Sequence, residues 1–142
     1  MTYPEDDAAV AGILASARVI AVVGLSSRED RPSYDVARYL QRVGYRIVPV
    51  NPNETEVLGE RAYPSLLDLP ADIDVDLVDV FRRAEDTPEV ARQAVAIGAR
   101  ALWLQLGIEN EEARGIAEDA GLAVVMDRCT KVDHRRLQEA SP

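Results

Sequence analysis

Cysteine occurs once in these 142 residues, and so does histidine. A single Cys129 excludes an internal disulfide and fits a reducing, cytoplasmic setting. With only His134 beside it in the inventory, no zinc-type ligand set can be assembled, and no metal site is expected. Long apolar runs are missing too: none approaches the roughly 20 residues of a membrane helix. The opening MTYPEDDAAV is acidic and lacks the basic-then-apolar order of a signal peptide. Basic residues are scarce, 16 Lys and Arg against 25 Asp and Glu, for a net charge of −9. Nucleic-acid affinity needs a basic surface that releases counterions, so a general nucleic-acid partner is excluded. An anionic ligand stays compatible only where arginines gather locally.

What is present alternates. VIAVVG (19–24), RIVPVN (46–51), VDLVDVF (75–81), ALWLQL (101–106) and LAVVMD (122–127) read as strands rich in Val, Ile and Leu. Amphipathic helical patterns separate them: Val10, Ile13, Leu14 and Ala17; Val36, Ala37, Leu40 and Val43; Val90, Ala91, Ala94 and Val95; Ala113, Ile116, Ala117 and Ala120. Gly44, Gly98 and Gly121 each follow a helix, where a left-handed cap favours glycine. Strands one, four and five are apolar almost throughout, as in parallel sheets covered on both faces. The pattern predicts one α/β domain with a core over about residues 10 to 138. Its architecture is a doubly wound parallel sheet of about five strands in three α/β/α layers, in strand order 3-2-1-4-5. The connection after the second strand departs from the rule. It reads as an irregular loop, an extended piece at Glu60 to Ala62 and a short helix at Ser65 to Leu69.

Such sheets bind ligands beyond the carboxyl ends of their strands, where the strand order reverses. In the expected order that point lies between strands one and four. A dinucleotide site would show G-x-G-x-x-G in the first turn, yet the next glycine after Gly24 is Gly44. It would also show Asp or Glu after strand two, where Val50, Asn51 and Pro52 stand instead. No G-x-x-x-x-G-K-[ST] phosphate loop occurs either.

The first turn nonetheless suits an anion. Gly24 permits close backbone approach, Ser26 and Ser27 add hydroxyls, and Ser33 is expected to cap a helix starting near Tyr34. Arg28 and Arg31 flank the turn, and Arg82 and Arg83 end the third strand. Those last two could equally pair with Glu85 and Asp86 or sit in solvent. Asn51, Pro52 and Phe81 could border a flat slot for an adenine ring, or simply shape a loop and fill the core.

The motifs VVGLSSREDRPSYDVARYLQRVGYRIVPVNPNETEVLGERAYPSLLDLP, VDVFRR, WLQLGIENEEA and VVMDRCTKVDHRRL, in this order, resemble the signature of small single-domain CoA-binding proteins. That family is similar in fold to the CoA-binding domain of the succinyl-CoA synthetase α subunit. The resemblance covers the chain from the first strand to Leu137 and implies a Rossmann-like domain that binds coenzyme A or an acyl-CoA at its strand ends. Carried over, the Gly24, Leu25, Ser26, Ser27 turn and the Arg28, Arg31, Pro32, Ser33 segment would hold phosphates. Pro49 to Pro52, with Val50 and Asn51, and Phe81, Arg82, Arg83 would border the adenosine, and Leu104 to Gly107, with Gln105, would face the pantetheine arm. The ribose 3′-phosphate of CoA explains why an acidic residue after strand two would be unwelcome.

Ligases of the synthetase type also carry a phosphohistidine in a second domain. Nothing in these residues replaces it, since His134 lies between Asp133 and Arg135 as a structural or surface histidine would. Three sets of residues invite a catalytic reading, and each has a plainer one. Cys129 could be activated by Arg128, Lys131 and a helix N-terminus, or be a small buried hydrophobe. Asp79 and Asp127 could act as bases, or cap loops and pair with arginines. Glu109, Glu111 and Glu112 suit the first turn of a helix. The expectation is a CoA-binding module without its own active site, acting as carrier, sensor or part of a partner-dependent assembly. The alternative is a subunit of a CoA ligase, or a thiol-handling CoA enzyme using Cys129. The apolar strand edges leave room for a homodimer without requiring one.

Overall fold

Valine, isoleucine and leucine dominate the segments that pair, because β-branched and apolar side chains fit a sheet buried on both faces. The computed structural model describes residues 7–140. Its elements run α1 (Asp7–Ser16), β1 (Val19–Val23), α2 (Pro32–Arg42), β2 (Arg46–Val50), β3 (Glu56–Val57) and β4 (Glu60–Arg61). Then follow β5 (Leu77–Val80), α3 (Thr87–Ala96), β6 (Ala101–Leu104), α4 (Glu111–Asp119), β7 (Ala123–Val125) and α5 (Thr130–Ala140). Single 3₁₀ turns lie at Leu66–Asp68 and Ala84–Asp86.

The main sheet is parallel, in order β2-β1-β5-β6-β7. The five expected strands and their helical cover are therefore present, but the expected order is corrected. The third long strand, β5, lies beside β1 rather than outside β2. The chain leaves β2, crosses β1 and docks on its far side. Residues 51–76 make this crossing without an ordinary helix: they hold the β3–β4 hairpin, the 3₁₀ turn at Leu66–Asp68 and loop. The strand order consequently reverses between β1 and β5.

Alternation along the strands divides the core in two. Val23, Val50, Val78, Val80, Leu102 and Leu104 meet Val90, Ala91 and Ala94 of α3 and Ala113 and Ala117 of α4. On the other face Ile20, Val22, Ile47, Leu77 and Trp103 meet Val10 and Leu14 of α1 and Val36, Ala37 and Leu40 of α2. Trp103 is fully buried, and its indole N–H donates to the Arg128 carbonyl at 2.8 Å. Gly44, Gly98 and Gly121 all adopt positive φ after their helices, as the sequence pattern implies. Val43, read as part of a helix face, lies just past α2 and is substantially exposed.

Candidate functional site

The carboxyl ends of β1, β5 and β6 open on a cavity of 680 Å³, within the range of small-molecule sites, about 300–1,000 Å³. Its wall includes Gly24 and Ser26 after β1, Arg31, Pro32 and Ser33 at the start of α2, Phe81, Arg82 and Arg83 after β5, and Gln105 after β6. Nine of the sixteen residues singled out in the sequence thus meet in one hollow at the switch point. Leu106, within the stretch expected to face the pantetheine arm, and the candidate thiol Cys129 join them, as do Val36, Ile108 and Val132. Leu106 (71% exposed) and Val132 (56%) give the cavity an apolar rim facing solvent. No periodicity marks them, because they sit in a loop and on the outer side of a helix start.

The other seven residues lie elsewhere. Leu25 is fully buried in the core beneath α2. Val50 is buried at the end of β2, where its carbonyl accepts the Gly24 N–H at 2.8 Å. Asn51 donates to the Leu25 carbonyl at 3.0 Å and accepts the Asn53 N–H at 2.9 Å, so its amide shapes a turn. Val50 and Pro52 line a separate groove of 320 Å³, and Arg82 borders both hollows. The Gly107 N–H is taken by Asp127 Oδ1 at 2.6 Å, a loop cap rather than a base. Ser27 and Arg28 lie outside the cavity wall.

The turn itself is internally satisfied. Ser33 does not cap α2: Pro32 opens the helix with Arg31 before it, and Ser33 Oγ accepts the Ser26 N–H at 3.1 Å. The Arg28 N–H donates to Ser26 Oγ at 3.1 Å. The N–H and hydroxyl of Ser27 both donate to one Glu54 carboxylate oxygen, at 2.9 and 3.0 Å. A phosphate arriving at Ser27 must therefore displace a carboxylate already there. Gly24 has φ +90°, and a Cβ on it would stand 2.4 Å from the Phe81 carbonyl oxygen. The close approach it permits is of β1 to β5, at the switch point itself.

The arginines separate clearly. Arg28 pairs with Asp30 at 3.5 Å in solvent, and Arg83 lies within 3.6 Å of Asp86 and 3.8 Å of Glu85. Arg82, half-buried, and Arg31 form no ion pair among the described residues. Both line the cavity, Arg31 exposed and Arg82 also bordering the groove that Glu85 and Asp86 line. The cations near Cys129 are committed elsewhere: Arg128 to Asp133 at 2.7 Å, and Lys131 to Asp35 at 2.7 Å. His134 packs between Tyr39 and Tyr45, with its Nδ1 2.6 Å from the Tyr39 hydroxyl, remote from the cavity.

One ionisable group behind the wall stands out. Asp79 on β5 is fully buried, and its partners are Gln105 Nε2 at 2.5 Å and the Thr130 hydroxyl at 3.0 Å. Burial pushes its carboxyl up to about 7, against the opposing pull of those two hydrogen bonds.

A doubly wound α/β domain with a ligand-sized, arginine-lined cavity at its switch point is the class of protein these features define. The chain belongs to the CoA binding domain family, whose model matches residues 18–135. It is 45% identical over 122 residues to the uncharacterized protein YneT of Bacillus subtilis (strain 168), covering 86% of this chain and 89% of that one. A hypothetical protein from Pyrococcus horikoshii OT3 superposes with a TM-score of 0.91 at 38% identity, covering 97% of this chain and 98% of that one. An ADP-forming acetate–CoA ligase II of Archaeoglobus fulgidus is 31% identical over 99 residues. That match covers 68% of this chain but only 14% of the ligase. Among the described residues no helix is long and apolar enough to cross a membrane, and no cluster could hold a metal ion.

Proposed function

We propose that this protein binds coenzyme A, free or acylated, in the cavity at the β1–β5 switch point, as a binding module without chemistry of its own. The observation that carries the reading is the unmatched pair Arg82 and Arg31 on the wall of that cavity. A guanidinium on a cavity wall that no carboxylate engages is available for bidentate pairing with a phosphate. CoA supplies three phosphates, and family membership supports that ligand over other nucleotides. The nucleotide head would engage the arginines near α2 and β5. The pantetheine arm would pass Gln105 toward the apolar rim of Leu106 and Val132. The likeness to a segment of an acetate–CoA ligase supports a role in delivering CoA or acyl-CoA to a ligase-type partner in the cytoplasm.

Calorimetric titration tests this. CoA binds the wild-type chain saturably and NAD competes poorly. Arg82→Ala weakens CoA by roughly 10-fold or more, since a charge-assisted hydrogen bond contributes about 1.5–3 kcal/mol. NAD binding as tightly as CoA, or an unaffected Arg82→Ala variant, would refute the assignment. Cys129 in the cavity wall favours a second reading, a thiol-handling CoA enzyme. Under the first reading Cys129→Ser binds CoA within about twofold of wild type and no acyl-CoA is turned over. Under the second, a measurable turnover is lost with the thiol.

A further inference from the structure

The buried carboxyl of Asp79 sits one layer behind the cavity wall, where a nonpolar residue would fill the space at lower cost. Its register partners on β1 and β6 are Val22 and Trp103, and among the described residues no cation bonds to it. What it touches is a side chain of the wall. Gln105, only 4% exposed, donates its Nε2 hydrogens to Asp79 Oδ1 at 2.5 Å and to Thr130 Oγ1 at 2.9 Å. The Thr130 hydroxyl in turn donates to Asp79 Oδ2 at 3.0 Å.

Ionised, as it is above about pH 7, the Asp79 carboxylate only accepts, so it fixes which end of the Gln105 amide faces inward. The NH₂ end is held by Asp79 and Thr130, and the carbonyl oxygen is left to the cavity side. That oxygen accepts no hydrogen bond among the described residues, and it is not sealed from solvent. A nearly buried acceptor of fixed direction on the wall calls for a donor from the ligand.

We propose that Asp79 is a positioning residue that turns Gln105 into an acceptor for an amide N–H of the ligand's arm, so that the site selects pantetheine-bearing nucleotides over the bare nucleotide head. The inference rests on the CoA reading and deepens it. The phosphates are recognised by the arginines, and the arm is recognised separately by this amide.

The test compares two ligands that share the head: CoA, and 3′-phosphoadenosine 5′-diphosphate, which has all three phosphates and no arm. Gln105→Met keeps the length of the side chain and removes the acceptor. It weakens CoA by roughly tenfold, the effect of one lost hydrogen bond to a buried acceptor, and leaves the bare head unchanged. Asp79→Leu does the same through Gln105. The Thr130 hydroxyl, having lost its own acceptor, then donates to the Gln105 oxygen and turns the NH₂ end outward. Thr130→Val removes an equally buried partner but leaves the Asp79–Gln105 bond, so the ratio of the two affinities stays near wild type. That contrast separates positioning from mere support of the fold.

The proposal is overturned if Gln105→Met weakens both ligands alike or neither, or if Thr130→Val shifts the ratio as much as Asp79→Leu. Failure of both ligands to bind the wild-type chain would overturn the CoA reading, and this inference with it. Binding of the bare head alone would overturn the inference and leave the arginine site standing.

Discussion

Replacing Asp79 by asparagine should flatten the pH dependence of stability in a window that few other groups share. In the folded chain the carboxyl titrates at about 7, and unfolded it returns to 3.8. Between those values the folded state holds a proton that the unfolded state has lost. Stability therefore falls as pH rises from about 4 to about 7, and the loss is complete above 7. Roughly three pH units at about 1.4 kcal/mol each give an upper bound of about 4 kcal/mol.

The Asp79→Asn side chain is neutral throughout, and it keeps an oxygen for Gln105 Nε2. Relative to wild type the variant should gain stability steadily from about pH 4 to about pH 7 and hold that gain above it. At about 3 °C per kcal/mol the difference in melting temperature approaches roughly 10 °C at the alkaline end. His134 titrates in the same window with the opposite sign. Burial holds its imidazole below the ordinary value, so its contribution is lost as pH falls through the unfolded pKa near 6.5. Asp35 and Glu89, lowered by Lys131 and Arg92, act below about pH 4. All three are common to both proteins and cancel in the difference. Thermal unfolding followed by circular dichroism at half-unit steps provides the data. A difference that stays constant across that range would refute the argument.

Two further substitutions probe the first turn. Gly24→Ala should destabilise by about 2–4 kcal/mol, because a Cβ would overlap the Phe81 carbonyl at a φ of +90°. Chemical denaturation checks it, and a change below about 0.5 kcal/mol contradicts the reading of that contact. Glu54→Gln should strengthen CoA binding severalfold if a phosphate takes the Ser27 donors, since it removes the competing carboxylate. Unchanged affinity in calorimetry would place the phosphates wholly on the arginines.

The individual strands were legible because each is an apolar run closed by a turn, and a buried parallel strand has little else to look like. Their order was not. A right-handed crossover satisfies local rules whether β5 docks outside β2 or beyond β1. The irregular connection over 51–76 does not decide between them, since doubly wound sheets of either order ordinarily join such strands through helices. The switch point moved accordingly, from strands one and four to β1 and β5. The cavity stayed legible because Gly24, Phe81 and Gln105 follow adjacent strands in the observed order. Arg82 and Arg83 could not be told apart, since Glu85 and Asp86 follow both at reachable spacing. Only the turn of the chain after β5 gives the carboxylates to Arg83 and leaves Arg82, between the two hollows, with no ion pair among the described residues. The link from Asp79 to Gln105 spans 26 residues and two strands, so no local pattern could reveal it.

Native mass spectrometry of the purified chain with CoA added at micromolar concentration tests the central claim most directly. The account predicts a one-to-one adduct with the mass of CoA that dissociates on denaturation and is depleted in Arg82→Ala. Absence of any adduct, together with no heat of binding up to millimolar CoA, would contradict it.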